Sequence, residues 1–308
     1  MQYIEFGKDK EKVSRIIIGL MRTAEMDPVE IAELIYTGQE KGINFLDTAD
    51  CYANGKAEEK LGETFAANPG LRDKVFLQSK CGIRNEEFTW FDFSREHILE
   101  AVDASLKRLK TDYLDCLLLH RPDALMEPEE IAEAFDVLYD AGKVRNFGVS
   151  NQNPVMMDMI RKYVRYPVLT NQVQLSAAFT PALNAGFNVN MENDHAIMRD
   201  GGLFEYCRLH DIVIQAWSPY QYGYFQGVFL GSDKYQKLNE VLNRIAEEHG
   251  VSASAVALAW VLKYPGRTQA VTGTTRPARI RDAAKATEVN LKKKEWYEIY
   301  LSAGNELP

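Results

Sequence analysis

Residues 43–80 read INFLDTADCYANGKAEEKLGETFAANPGLRDKVFLQSK. Two short apolar runs, Ile43–Asp47 and Lys74–Lys80, have strand character, and each ends in a charge. Between them Ala57–Ala67 carries its apolar residues at helical spacing. A strand, a helix and a strand in so short a span imply parallel strands joined by a helical crossover. The same alternation continues outward. On the N-terminal side Ser14–Met21 reads as a strand and Asp27–Lys41 as a helix with Pro28 in its first turn, where its missing N–H costs nothing. The residues before it suggest a short hairpin.

On the C-terminal side a helix is expected over Ser94–Lys110, with Ile98, Val102, Leu106 and Leu109 on one face. The strand Leu114–His120 follows, then the helix Glu127–Ala141 closed by Gly142, the strand Asn146–Ser150, the helix Pro154–Tyr163 and the strand Leu169–Leu175. The polar segment Ser176–Gly202 has no clear period. Beyond it come the helix Leu203–His210, the strand Ile212–Trp217, helices Lys234–His249 and Ser252–Lys263, the strand Thr268–Thr272, and helices Pro277–Lys285 and Lys294–Ser302.

About eight strands alternating with helices, with no low-complexity linker, predict an α/β protein. The expected architecture is a (β/α)8 TIM barrel with a short N-terminal hairpin and extra C-terminal helices, one domain over residues 1–308. A doubly wound open sheet is the alternative, and the lack of a GxGxxG after the first strand counts against it. With 308 residues, 46% of them hydrophobic, the chain can bury a large core. Net charge is −8, and Lys and Arg are spread without basic blocks, so no nucleic-acid partner is expected. Cys51, Cys81, Cys116 and Cys207 are far apart, with no CxxC and no metal-like Cys/His spacing. They read as reduced small residues, Cys51 as chemically idle, and no metal is expected. The charged N-terminus has no signal-peptide core. The longest apolar run, Ala255–Leu262, falls far short of the roughly 20 residues that span a bilayer. A cytoplasmic protein without a membrane partner is the expectation, as a monomer or small homo-oligomer.

In such a barrel the functional face is built where strands end. Asp47, Lys80 and His120 end three consecutive strands. Ser150 and Asn151 end the next, Asn171 and Gln172 lie in the sixth, Trp217 and Ser218 end the seventh, and Gly273, Thr274 and Thr275 follow the eighth. Singly, Asp47 reads as a turn cap, Lys80 as a surface lysine and His120 as a satisfied core histidine. Together a carboxylate, an ammonium and an imidazole converge on one rim, and charged groups at a half-buried rim need partners. An Asp47–Lys80 pair satisfies both and leaves Tyr52 and His120 beside it, a constellation suited to perturbed pKa values.

These residues resemble the aldo-keto reductase family, in its bacterial NADP-dependent branch. The resemblance is carried by FLDTADCY, LQSK, LLLHRPD, GVSN, NQVQLS, AWSPY and GTT followed by Arg279, in order and at matching spacing from near residue 14 to near 290. It implies reversible reduction of an aldehyde or ketone to the alcohol with NADP(H), hydride going to carbon and a proton to oxygen. Tyr52 is then the general acid or base, its pKa lowered by Lys80, which Asp47 holds in place, while His120 orients the carbonyl. Ser150, Asn151 and Gln172 match residues that hold the nicotinamide carboxamide, and Trp217 matches the ring that stacks on it. Ser218 falls near the pyrophosphate, and Gly273, Thr274, Thr275 and Arg279 fall around the 2′-phosphate. Two departures stand out: a lysine often found at position 273 is glycine, and an asparagine often found after the acidic Asp282 is Ala283.

Met21, Arg22, Trp90, Phe91 and the segments 176–202 and 220–229 are candidates for the substrate pocket, the last an aromatic rim suited to an apolar body. Asp50 has no assigned role. Some relatives of this kind are redox-sensing regulatory subunits of channels, which is the alternative reading. A Schiff-base lyase or isomerase acting through Lys80 is a third.

Overall fold

The computed structural model describes residues 1–307; Pro308, the end of the expected domain, lies outside the described residues. In chain order the first elements are β1 (Tyr3–Phe6), β2 (Glu11–Ser14), β3 (Ile16–Gly19), α1 (Pro28–Glu40), β4 (Phe45–Asp47), α2 (Lys56–Ala67) and β5 (Phe76–Cys81). Next are β6 (Ile83–Asn85), β7 (Thr89–Phe91), α3 (Arg95–Leu109), β8 (Cys116–Leu119), α4 (Pro128–Asp140), β9 (Phe147–Ser150), α5 (Pro154–Tyr163) and β10 (Val168–Gln174). Then follow α6 (Pro181–Phe187), α7 (Leu203–Leu209), β11 (Val213–Trp217), α8 (Gln236–His249), α9 (Ala253–Lys263), β12 (Thr268–Thr272), α10 (Pro277–Lys285) and α11 (Lys293–Ser302). Strands β3, β4, β5, β8, β9, β10, β11 and β12 pair in parallel in that order, and β12 closes on β3. The sheet is therefore a closed barrel, and the open-sheet alternative is excluded.

Side-chain alternation sorts the strands into an outer and an inner face. In β5, Leu77 and Cys81 pack outward against the helices, while Phe76, Gln78 and Lys80 alternate with them and point into the barrel. The inner apolar layer holds Ile17, Phe45, Phe76, Cys116, Leu118 and Val213, and Phe6 of the antiparallel β1–β2 hairpin packs among them. Its ring lies edge-on to Phe45 at 5.9 Å and to Phe76 at 5.2 Å. The hairpin thus plugs the N-terminal mouth of the barrel. Above that layer lies a sheet of amides: Gln215 Nε2 donates to Gln78 Oε1 (3.2 Å) and to Gln269 Oε1 (3.0 Å), and Gln78 Nε2 donates to Gln215 Oε1 (2.9 Å). Fully bonded amides are tolerated in a core where lone ones are not. They form the floor under the C-terminal rim.

Helix starts follow local chemistry. Asp27 and Glu30 form a reciprocal capping box ahead of α1, with Pro28 in the first turn. Ser94, Asn153 and Ser252 each accept a backbone N–H at the starts of α3, α5 and α9. The structure adds two elements that the sequence pattern left out, the β6–β7 hairpin and α6. β6 and β7 bury no residue fully, so they carry no inward-outward alternation, and α6 lies inside the polar segment without a clear period. The 176–202 segment packs against α11 rather than over the rim: Phe187 meets Trp296 and Tyr300, and Tyr300 Oη donates to Asn184 Oδ1 (2.9 Å).

Candidate functional site

Asp47 ends β4 and Lys80 sits one residue before the end of β5, both pointing inward at the same rim. Lys80 Nζ donates to Asp47 Oδ2 (2.8 Å), to the Thr48 carbonyl (2.7 Å) and to Tyr52 Oη (3.2 Å). An ammonium has three N–H donors and no acceptor, so all three are used. Tyr52 Oη must accept from Lys80, which leaves its own O–H free to donate elsewhere. Asp47 Oδ1 also accepts from Gln78 Nε2 (2.7 Å) and Gln172 Nε2 (2.9 Å), so the amide layer holds the carboxylate from below. Lys80 is fully buried, and burial works against its charge. Asp47 and Tyr52 outweigh that penalty and raise its pKa. An amine so engaged offers no free lone pair, which removes the basis of the Schiff-base reading.

Tyr52 departs from the expectation. Lys80 does act to lower its pKa, but burial acts the other way and is larger, with Asp47 adding to it, and the phenol is pushed up to about 12. His120 is held well below the ordinary imidazole value by burial, by Lys80 and by Arg121. At neutral pH the pair is therefore a protonated phenol beside an uncharged imidazole, rings 5.8 Å apart and edge to face. The phenol is the acid of the two, and the imidazole is a hydrogen-bonding group.

Cys51, read from the sequence as chemically idle, touches a site residue. Its Sγ lies 3.5 Å from His120 Nδ1, and both line the cleft. Asp50, previously without a role, sits behind them with Oδ1 buried and unpartnered. Burial and the nearby Glu58 push its carboxyl up to about 7. Donor atoms of Asp50, Cys51 and His120 all lie within 4.8 Å of one another. Sequence spacing missed this cluster because His120 reaches it from a different strand.

The cleft has a volume of about 530 Å³ and runs from this group across the barrel mouth. Asp47, Tyr52, His120, Ser150, Asn151, Gln172, Trp217, Ser218, Gly273, Thr274 and Arg279 all line it. Lys80 lies behind its wall, and Thr275 is exposed beyond its edge. Asn151 Nδ2 donates to Ser150 Oγ (2.7 Å), and Trp217 Nε1 donates to Asn151 Oδ1 (3.3 Å), which fixes the indole. Both N–H bonds of Gln172 go to Asp47 and Gln215, so Oε1 is what this residue can offer a ligand as an acceptor. Arg279 is exposed and has no carboxylate partner among the described residues. A Cβ added at Gly273 meets open space. Ala283 is buried in the core, so position 283 does not face the cleft.

Of the substrate-side candidates, Met21, Arg22, Tyr220, Gln221, Tyr224, Phe225 and Val228 line the cleft. Trp90 and Phe91 do not. Trp90 is stacked on Arg84 at 5.1 Å, and Ile83 takes that side of the wall. No residue of 176–202 lines the cleft; Phe187 packs against α11 instead. Arg121, without a sequence-based role, lies 5.6 Å from the rings of both Trp217 and Tyr224.

A sequence model of the Aldo/keto reductase family matches residues 15–300. A 6-dehydroglucose reductase of Agrobacterium fabrum is 34% identical over 310 residues, covering 97% of each chain. The crystal structure of an aldo-keto reductase from Klebsiella pneumoniae in complex with NADPH superposes with a TM-score of 0.74 at 26% identity, covering 97% of this chain and 93% of that one. At a lower level of similarity, an Arabidopsis thaliana protein named "Probable voltage-gated potassium channel subunit beta" is 27% identical over 323 residues, covering 94% of this chain and 92% of that one. With the family pattern spanning all eight barrel strands, the chain belongs to the Aldo/keto reductase family of oxidoreductases.

Proposed function

We propose that this single-domain chain is an NADP(H)-dependent carbonyl reductase that converts an aldehyde or ketone to its alcohol, reversibly, in the cytoplasm, as a monomer or small homo-oligomer. The observation that carries this reading is the Lys80 ammonium bonded at once to Asp47, Thr48 and Tyr52. The cofactor, when bound, supplies hydride to the carbonyl carbon. The chain's own residues do the rest. Ser150, Asn151 and the free Oε1 of Gln172 suit a carboxamide. The anchored Trp217 ring suits a flat heterocycle, and the unpaired Arg279 suits a phosphate.

Charge developing on the carbonyl oxygen needs donors aimed at it. Tyr52 supplies an O–H whose oxygen is already held by Lys80, and it delivers the proton. The neutral His120 supplies an N–H that orients the carbonyl. The Lys80 ammonium stabilises the phenolate left behind. In alcohol oxidation the phenolate takes the proton back. The regulatory-subunit reading uses the same cleft, but it gives no reason for an acid and an orienting imidazole side by side. Single-turnover oxidation of bound NADPH by a generic aldehyde tests the two against each other. Bound NADPH that stays unoxidised would defeat the reductase reading.

The pKa directions set a pH profile. A protonated phenol is needed for reduction and is present below its pKa, so kcat/KM for reduction stays level through neutrality and falls only above the ordinary tyrosine value of about 10. Alcohol oxidation needs the phenolate and climbs by about tenfold per pH unit over the same range. A reduction profile with its alkaline limb centred near pH 7 would contradict the assignment.

NADPH is expected to bind more tightly than NADH, because Arg279 has no other anion to serve. Equal dissociation constants in a fluorescence titration would count against it. Gly273→Lys restores the missing charge at a position with room for a side chain. It should tighten NADPH binding by roughly twofold to fivefold, the scale of a solvent-exposed ion pair, and leave NADH nearly unchanged.

A further inference from the structure

We propose that Asp50, Cys51 and His120 form a binding site for one Zn²⁺ ion in the wall of the cleft, and that the ion switches carbonyl turnover off. The three side chains are a carboxylate, a thiol and an imidazole, the donor set zinc prefers. Zn–S and Zn–N bonds of about 2.3 Å and 2.0–2.1 Å at a tetrahedral angle place sulfur and nitrogen about 3.5 Å apart. Cys51 Sγ and His120 Nδ1 stand at 3.5 Å. The third donor, on Asp50, is within 4.8 Å of both.

Asp50 is the independent observation. Its Oδ1 is buried with no hydrogen-bond partner, an arrangement that costs free energy unless something fills the vacancy. Glu58 is no candidate ligand, since its oxygens are taken by Ser79 (2.6 Å) and Arg108 (2.9 Å). The site is also braced: Asp50 N–H donates to the Lys80 carbonyl (3.1 Å), tying the loop to β5. As the ion binds, the Cys51 thiol proton and any proton on the Asp50 carboxyl leave to solvent, and the imidazole stays neutral. Cys51 and His120 both line the cleft beside Tyr52, so the ion's fourth position opens there. The ion and whatever fills its fourth position then occupy the space beside Tyr52 that a carbonyl would need.

Titration of the full-length protein with Co²⁺ tests the site without reference to turnover. One equivalent should bring up a near-ultraviolet thiolate-to-cobalt charge-transfer band with tetrahedral visible bands, and Zn²⁺ should bleach both. Cys51→Ser should lose the band. Asp50→Asn should weaken binding by at least roughly the tenfold to hundredfold seen for loss of a supporting group around a metal. Zn²⁺ should inhibit wild-type reductase with the half-saturation found by Co²⁺ competition, EDTA should reverse it, and Cys51→Ser should resist it. The proposal fails if no charge-transfer band appears, if the band survives Cys51→Ser, or if zinc inhibits that variant as strongly as wild type. The cobalt spectra stand even if the carbonyl-reductase reading falls.

Discussion

Tyr52→Phe should lower kcat for carbonyl reduction by about 10²–10⁴-fold, the usual contribution of a general acid, with NADPH affinity unchanged. The physical basis is the direction of one hydrogen bond. Lys80 can only donate, so the phenolic oxygen accepts and the phenolic proton is the one left to deliver. Phenylalanine keeps the ring but removes the protonated hydroxyl that lines the cleft, and His120 beside it is already neutral. The fold should survive, since Lys80 keeps Asp47 and the Thr48 carbonyl as partners. Stopped-flow reduction of a generic aldehyde, with fluorescence titration of NADPH as the control, measures both. A variant turning over within about tenfold of wild type would remove Tyr52 from the mechanism.

Lys80→Met should cost about 3–5 kcal/mol of stability as well as activity. Lys80 is fully buried and its partner Asp47 is 2% exposed, so removing the cation strands a carboxylate in the barrel interior. Gln78 and Gln172 still donate to it, which softens the loss without supplying charge. Thermal and denaturant unfolding read the effect. The double variant Asp47→Asn/Lys80→Met should recover most of the stability, because a neutral amide replaces the stranded charge, yet it should stay inactive. If the single variant melts like wild type, the pair is not the buried ion pair described here.

Much of the fold is legible in the sequence. Strand–helix alternation announces a parallel sheet, and β9's neighbour α5, β12 and α10 fall at the expected residues. The elements that the pattern leaves out are those without a regular apolar period. The β6–β7 hairpin buries no residue fully and so lacks alternation, and α6 lies in a polar segment where Phe187 at its end packs on α11. The 176–202 segment is a pocket candidate as a long loop of the kind the resembled family uses, but it does not line the cleft, and Phe187 packs on the C-terminal helix. The 220–229 stretch reached the cleft as its aromatic content suggested.

By itself the sequence determined which residues stand at strand ends, because the period of two in a strand and the charge that breaks it are local properties. It thereby placed Asp47, Tyr52, Lys80 and His120 at one rim. Only the tertiary structure decided their electrostatics. The sign of the Tyr52 shift depends on how completely the barrel excludes water, which outweighs the neighbouring ammonium, and no spacing along the chain encodes that. The same holds for Cys51, Asp50 and His120. Two of these are adjacent and the third lies 69 residues past Cys51, and closing the barrel is what brings a thiol against an imidazole.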